Sequence, residues 1–152
     1  MEYELVQLDE KKVAGLRIRT SNTDPQMGEK IGATWQQFYG GGIDALLKGK
    51  TNEKCIGLYT NYEKAELGAY DVMVGCEVEN GVLQPEQVTI ETIMPGNYAK
   101  FIVHGDVQKA VGEFWMKLWE MSLDRKFGCD FEEYQPGEDM ENAEIHIYIS
   151  LN

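Results

Sequence analysis

Two stretches of helical periodicity constrain this chain more than anything else in it. Over residues 25–39, Met27, Ile31, Trp35 and Phe38/Tyr39 recur on one helical face. Over residues 106–123, Val111, Phe114, Trp115, Leu118 and Trp119 do the same. Each face is rich in rings and has to be buried against another element. Ser21-Asn22-Thr23-Asp24-Pro25 offers cap-type residues and a proline ahead of the first helix, and Gly40-Gly41-Gly42 ends it. Strand-like runs surround both helices: 3–8, 11–20, 56–60 and 70–78 around the first, then 88–93, 97–104, 130–134 and 143–151 around the second. Residues 43–55 read as a short helical turn and a loop. Asp9-Glu10, Asn80-Gly81 and Met94-Pro95-Gly96-Asn97 read as turns, and 63–66 and 135–139 as polar loops.

The order is therefore ββαββ followed by ββαββ, dividing near residues 80–87. The halves, about 1–80 and 81–152, share element order rather than letters. Strands adjacent in sequence are expected to pair as hairpins: 3–8 with 11–20, and 88–93 with 97–104. The predicted fold class is α+β: an antiparallel sheet from two pseudo-symmetric ββαββ halves, with two helices packed on one face. At 152 residues the chain is one ordinary domain with a proper core.

Charge narrows the partners. Fourteen basic against 26 acidic side chains give a formal charge of −12. Phosphate backbones and anionic membranes repel such a chain, so direct nucleic-acid and membrane binding are not expected. Polar residues interrupt each apolar run well before the ~18 residues a membrane span needs. Met1-Glu2-Tyr3-Glu4 lacks the basic and apolar parts of a signal peptide, so a cytoplasmic location is expected. Cys55, Cys76 and Cys129 form no CxxC pair, and His104 and His146 are not at ligand spacing. No metal or cofactor is expected, and the thiols read as free and buried. Ser21 and Ser122 have no triad context, and Gly40-Gly41-Gly42 follows a helix rather than a strand, so it cradles no phosphate. His104, before Gly105-Asp106, could act as an acid or base, but a capping or turn role is the better reading.

Four segments carry a family resemblance: Val13-Ala14-Gly15-Leu16-Arg17; Tyr70-Asp71-Val72-Met73-Val74-Gly75; Met94-Pro95-Gly96-Asn97-Tyr98-Ala99-Lys100-Phe101-Ile102-Val103-His104-Gly105; and Phe131-Glu132-Glu133-Tyr134 with Glu144-Ile145-His146-Ile147-Tyr148-Ile149. Together, in this order around two aromatic helices, they resemble the GyrI-like, or AraC-type, effector-binding domain. A proline usual near the end of the last strand is replaced by Ser150. The resemblance implies binding of lipophilic, often cationic, small molecules, as multidrug binding or as the sensor of transcription regulation. It points to a stand-alone member, because the residues before Val13 are too few for a helix-turn-helix. It also implies two alternatives: hydrolysis of electrophilic, cyclopropane-bearing toxins by one branch, and a protein partner such as gyrase. Binding without catalysis is the preferred expectation.

The resemblance also places Glu132 as the acid of a Phe-Glu-x-Tyr motif facing the ligand's charge. A carboxylate with few waters and ring walls attracts a delocalised cation, and the same burial raises its pKa. Strand alternation puts Glu132 and Tyr134 on one face and Phe131 and Glu133 on the other. Which face meets the pocket stays open between Glu132 and Glu133. Trp35, Tyr39, Trp115 and Tyr148, then Trp119, Tyr59 and Tyr70, are expected to wall the site as a cation–π cage. For any one ring, plain core packing is the competing role. Met27, Met73, Met94, Met116, Met121 and Met140 could form an adaptable wall, or serve as filler and surface.

Overall fold

The computed structural model describes residues 2–64, 68–136 and 141–152. Met140, Glu66 and the 137–139 part of the second polar loop lie outside the described residues. In chain order the elements are β1 (Glu4–Leu8), β2 (Lys11–Ser21), α1 (Met27–Gly40), α2 (Ile43–Leu46), β3 (Lys50–Thr60), β4 (Ala69–Val78), β5 (Thr89–Ile93), β6 (Gly96–Gly105), α3 (Val107–Leu118), β7 (Cys129–Tyr134) and β8 (Ala143–Ser150). All eight strands join one antiparallel sheet in the order β1-β6-β8-β7-β3-β4-β2-β5. The α+β class and the paired ββαββ halves are as the sequence predicts.

Two of the expected hairpins are not formed. β1 pairs with β6, from Glu4↔Lys100 to Leu8↔Gly96, and β5 pairs with β2, from Lys11↔Ile93 to Gly15↔Thr89. Each half thus lends its first strand to the other. The short link from Leu8 to Lys11 then dictates the shape of the sheet. In a flat sheet, β1 and β2 would stand six strand spacings apart, about 29 Å. Three residue steps reach only about 11 Å. The sheet must therefore curl until its ends approach. Gly15 and Gly75 face one another where β2 crosses β4, and a Cβ on either would run into the opposite backbone.

Inside the curl lies one core: Val13, Ile56, Leu58, Met73, Ile93, Tyr98, Phe131 and their neighbours, contributed by all eight strands. The other face carries the helices. Phe114 and Leu118 of α3 pack on Phe101, Ile145, Ile147 and Ile149. Phe38 and Ile43 pack on Val74 and Cys76. Each helix rests on its own half, so the midline over β3 and β7 is left between two separate cores.

Element ends depart from the sequence reading. α1 starts at Met27, after a turn in which the Asp24 carboxylate accepts from the Gln26 backbone N–H at 2.8 Å. α3 begins close to the expected residue 106, with Asp106 as its cap accepting from Lys109 N at 3.0 Å. It stops at Leu118 rather than 123. The chain beyond is drawn to the end of β8, with Lys126 N donating to Ser150 O and Asn152 N to Asp124 O. β3 begins at Lys50, inside the stretch expected to be loop, with an irregularity before Cys55. Among the described residues, no helix is long and apolar enough to cross a membrane.

Candidate functional site

Glu132 sits near the middle of the β3–β7 ladder, opposite Gly57. It points to the helix-bearing face, into the gap between the two helix-side cores, and is 2% exposed. Gly57 makes the room: a Cβ there would come within 3.0 Å of Glu132 Oε1 and 3.5 Å of the Trp35 ring. Three neutral donors from three elements hold the carboxylate. Tyr134 Oη donates to Oε1 at 2.7 Å; Trp115 Nε1 and Tyr59 Oη donate to Oε2 at 2.8 and 3.1 Å.

Among the described residues, no lysine, arginine or histidine forms an ion pair with Glu132. Burial raises its carboxyl above the usual value, against the pull of the donors from Trp115, Tyr134 and Tyr59. The Tyr59 and Tyr134 phenols are pushed well up by burial and by the nearby carboxylate, so they stay protonated and keep donating. Glu133 is different. It lies on the other face, with Lys54 Nζ at 3.4 Å, His146 Nδ1 at 3.9 Å and the Gln135 amide at 3.0 Å. The acid with neutral partners is Glu132.

Beside Glu132 lies a cavity of about 320 Å³. Tyr59, Tyr62, Tyr70, Trp115, Trp119 and Phe127 supply its ring surface. The rings touch in sequence: Tyr59 lies edge-on to Trp115 at 5.2 Å, and Tyr62 lies 5.7 Å from Tyr70 and 5.8 Å from Phe127. Glu132 itself is not on the wall. Tyr59 and Trp115 line the cavity while donating to the carboxylate, so they stand between charge and hollow. The sequence reading had the carboxylate open directly onto the hollow; its need for donors in a dry setting draws those rings across it.

Of the seven aromatics expected at the site, Tyr59, Tyr70, Trp115 and Trp119 line the cavity. Trp35 lies off the cavity wall, with its ring over the Gly57 position that faces Glu132, and meets Tyr134 edge-on at 5.2 Å. Tyr39 is half-exposed and stacks on Trp35 at 6.0 Å, off the cavity wall, because it lies a turn further along α1. Tyr148 is a correction. Ile147, not Tyr148, is the register partner of Glu132, so alternation sends Tyr148 into the curl, where it stacks on Phe131 at 4.6 Å. Met27 lines the cavity, whereas Met73 fills the inner core and Met94 and Met116 are exposed.

Sequence reasoning missed a second buried acid. Asp130 is fully buried and, unlike Glu132, ion-paired: Arg125 Nη2 and Tyr62 Oη donate to its Oδ2 at 2.8 and 2.7 Å. The Arg125 guanidinium stacks 4.1 Å over Phe127 on the cavity wall. The spacing Asp130-x-Glu132 within a core strand was a usable signal, since it puts two acids on one face. Tyr62 and Phe127 sit in irregular chain, where no periodicity marks them.

The sequence model of a family described as Cass2, integron-associated effector binding protein, matches residues 4–151. The chain is similar to an integron cassette protein from the mobile metagenome of Vibrio cholerae, with 29% identity over 97% of this chain and 95% of that one and a TM-score of 0.75. It shares its fold with SAV2435, solved bound to tetraphenylphosphonium, at 22% identity over 100% of this chain and 94% of the other and a TM-score of 0.83. The C-terminal domain of EcmrR has the same fold at 15% identity, covering 100% and 99% of the two chains, with a TM-score of 0.58. No curated protein matches the chain significantly.

Proposed function

The chain belongs to the Cass2 family of integron-associated effector binding proteins, and from that premise we propose that its effector is a lipophilic organic cation, bound in the ring-walled cavity beside Glu132. One observation carries this: a carboxylate 2% exposed, whose hydrogen-bond donors are all neutral. Its charge is stabilised but not cancelled. In a low-dielectric surrounding that leaves an attraction for positive charge which water screens poorly. Arg125 does not offset it, because Asp130 already neutralises the guanidinium.

The cavity volume, about 320 Å³, falls at the lower end of the range for small-molecule sites. A diffuse cation gains from the faces of Tyr59 and Trp115, whose donor ends rest on the carboxylate. A hard, strongly hydrated cation loses too much water to enter such apolar walls. The fold shared with SAV2435, solved with tetraphenylphosphonium, supports the same ligand class.

Calorimetric titration with tetraphenylphosphonium, and with a neutral tetraphenyl analogue of similar size, tests the proposal. Glu132→Gln keeps the shape and removes the charge. It is expected to weaken phosphonium binding at least tenfold, about 1.4 kcal/mol, and to leave the neutral analogue unaffected. Equal affinity of the wild type for both compounds, or unchanged phosphonium binding in the variant, overturns it.

A further inference from the structure

The core beneath α1 holds two thiols that the cavity does not use. Cys55 of β3 and Cys76 of β4 are register partners in an antiparallel ladder, so their side chains leave the same face of the sheet. Directly opposed residues in such a ladder have Cα atoms about 4.5–5.5 Å apart. A disulfide spans about 4.4–6.8 Å. Both cysteines are free; Cys55 is half-buried and Cys76 buried. The environment treats them unequally. The Cys76 thiol donates to Cys55, Tyr39 Oη donates to the same sulfur, and the Lys50 ammonium lies nearby. These pull the Cys55 thiol below its usual value against burial and the Asp44 carboxylate, while Cys76 is pushed up by its hydrogen bond to Cys55 and by burial.

We propose that Cys55 and Cys76 form a reactive dithiol that closes to a cross-strand disulfide by exchange with small organic disulfides, with Cys55 as the attacking thiol and Cys76 as the resolving one. The Cys55 thiolate attacks one sulfur of the organic disulfide. Its S–S bond breaks, one organic thiolate leaves and takes a proton from solvent, and a mixed disulfide remains on Cys55. Cys76 then gives up its proton and attacks the Cys55 sulfur, expelling the second organic thiolate. The two protein thiols lose two electrons, and one organic disulfide is reduced to two thiols. Closure changes the sulfur to which Tyr39 Oη donates, and Tyr39 stacks on Trp35, whose ring lies over the Gly57 position that faces Glu132. Cys129 is an internal control: it is fully buried in the inner core, receives a hydrogen bond from Met94 N, and has its thiol pushed up by burial.

The test is incubation of the native protein with oxidised glutathione, read by intact mass and peptide mapping. Of three thiols, one is expected to remain, on Cys129, with a mass loss of two hydrogens and a Cys55–Cys76 cross-linked peptide. Dithiothreitol should restore all three. Cys76→Ala should stop at one glutathione adduct on Cys55, and in Cys55→Ala any adduct on Cys76 should form at least tenfold more slowly. Should Cys76→Ala fail to fold, alkylation-quenched time points of the wild type should show the Cys55 adduct before the disulfide. Three thiols surviving in the native wild type, a lasting glutathione adduct without closure, or first reaction at Cys129 each overturn the proposal.

Discussion

Burial holds the proton on Glu132 to a higher pH than in the unfolded chain, and that sets how the molecule responds to pH. Below the usual carboxyl value of 4.5 both states are protonated and the group has no effect. As pH rises from there through the raised folded value, the unfolded chain releases its proton first, so stability falls; above the folded value the whole deficit is present. Glu132→Gln should therefore remove this loss, seen as a gain over wild type that grows as pH rises from 4.5 through the raised folded value in urea unfolding. Cation affinity should run the opposite way, weakening as acid neutralises the carboxylate, and calorimetry across the same range checks it. Trp115→Phe withdraws one donor from a buried acid. It should cost about 1–3 kcal/mol in the same unfolding measurement and push the carboxyl further up. Glu132 was singled out through the family resemblance of Phe131-Glu132-Glu133-Tyr134, and strand alternation puts it on one face with Tyr134, which donates to it. Tyr148 was misjudged because which face of a strand meets a pocket depends on register with its neighbours, and one chain's letters do not print register. Tyr62 and Phe127 enter from irregular chain, and Phe127 does so with a positive φ of 55°.

At the scale of elements, the helices and most strands were readable and their partners were not. Periodicity reports which face is apolar; it does not report what covers it. β1 and β2 look like a hairpin because a turn-like Asp9-Glu10 links them, yet the inner core is completed only when β1 crosses to β6. Helix ends moved for a similar reason, since contacts with the end of β8 outcompete the last turn expected of α3. The central ladder makes its own prediction. In Gly57→Ala the added methyl meets the Glu132 carboxylate and the Trp35 ring. The variant should lose about 1–3 kcal/mol of stability by overpacking, together with most of its phosphonium binding. Asp106→Ala, at the capped end of α3 and away from Glu132, should cost about 1 kcal/mol with affinity for bound phosphonium largely kept. Thermal unfolding with and without ligand separates the two cases.

For the whole molecule, the exchange of first strands means that neither half encloses its own core. β1 completes the second half, β5 completes the first, and all eight strands meet inside the curl. Fragments 1–80 and 81–152 should each be unfolded alone and regain native far-ultraviolet circular dichroism when mixed; a folded single fragment would contradict this. The sheet order also reads the same from either end once the halves are interchanged, and Gly57 faces Glu132 close to its centre. A spot on the midline of a twofold design can be filled once. A second glutamate at position 57 would have to occupy the space the first already takes, so the lobes cannot stay twins there: one contributes the anion and its counterpart contributes the vacancy. Such an architecture has a single docking post instead of two, and its letters must drift apart at the waist even while its outline stays doubled.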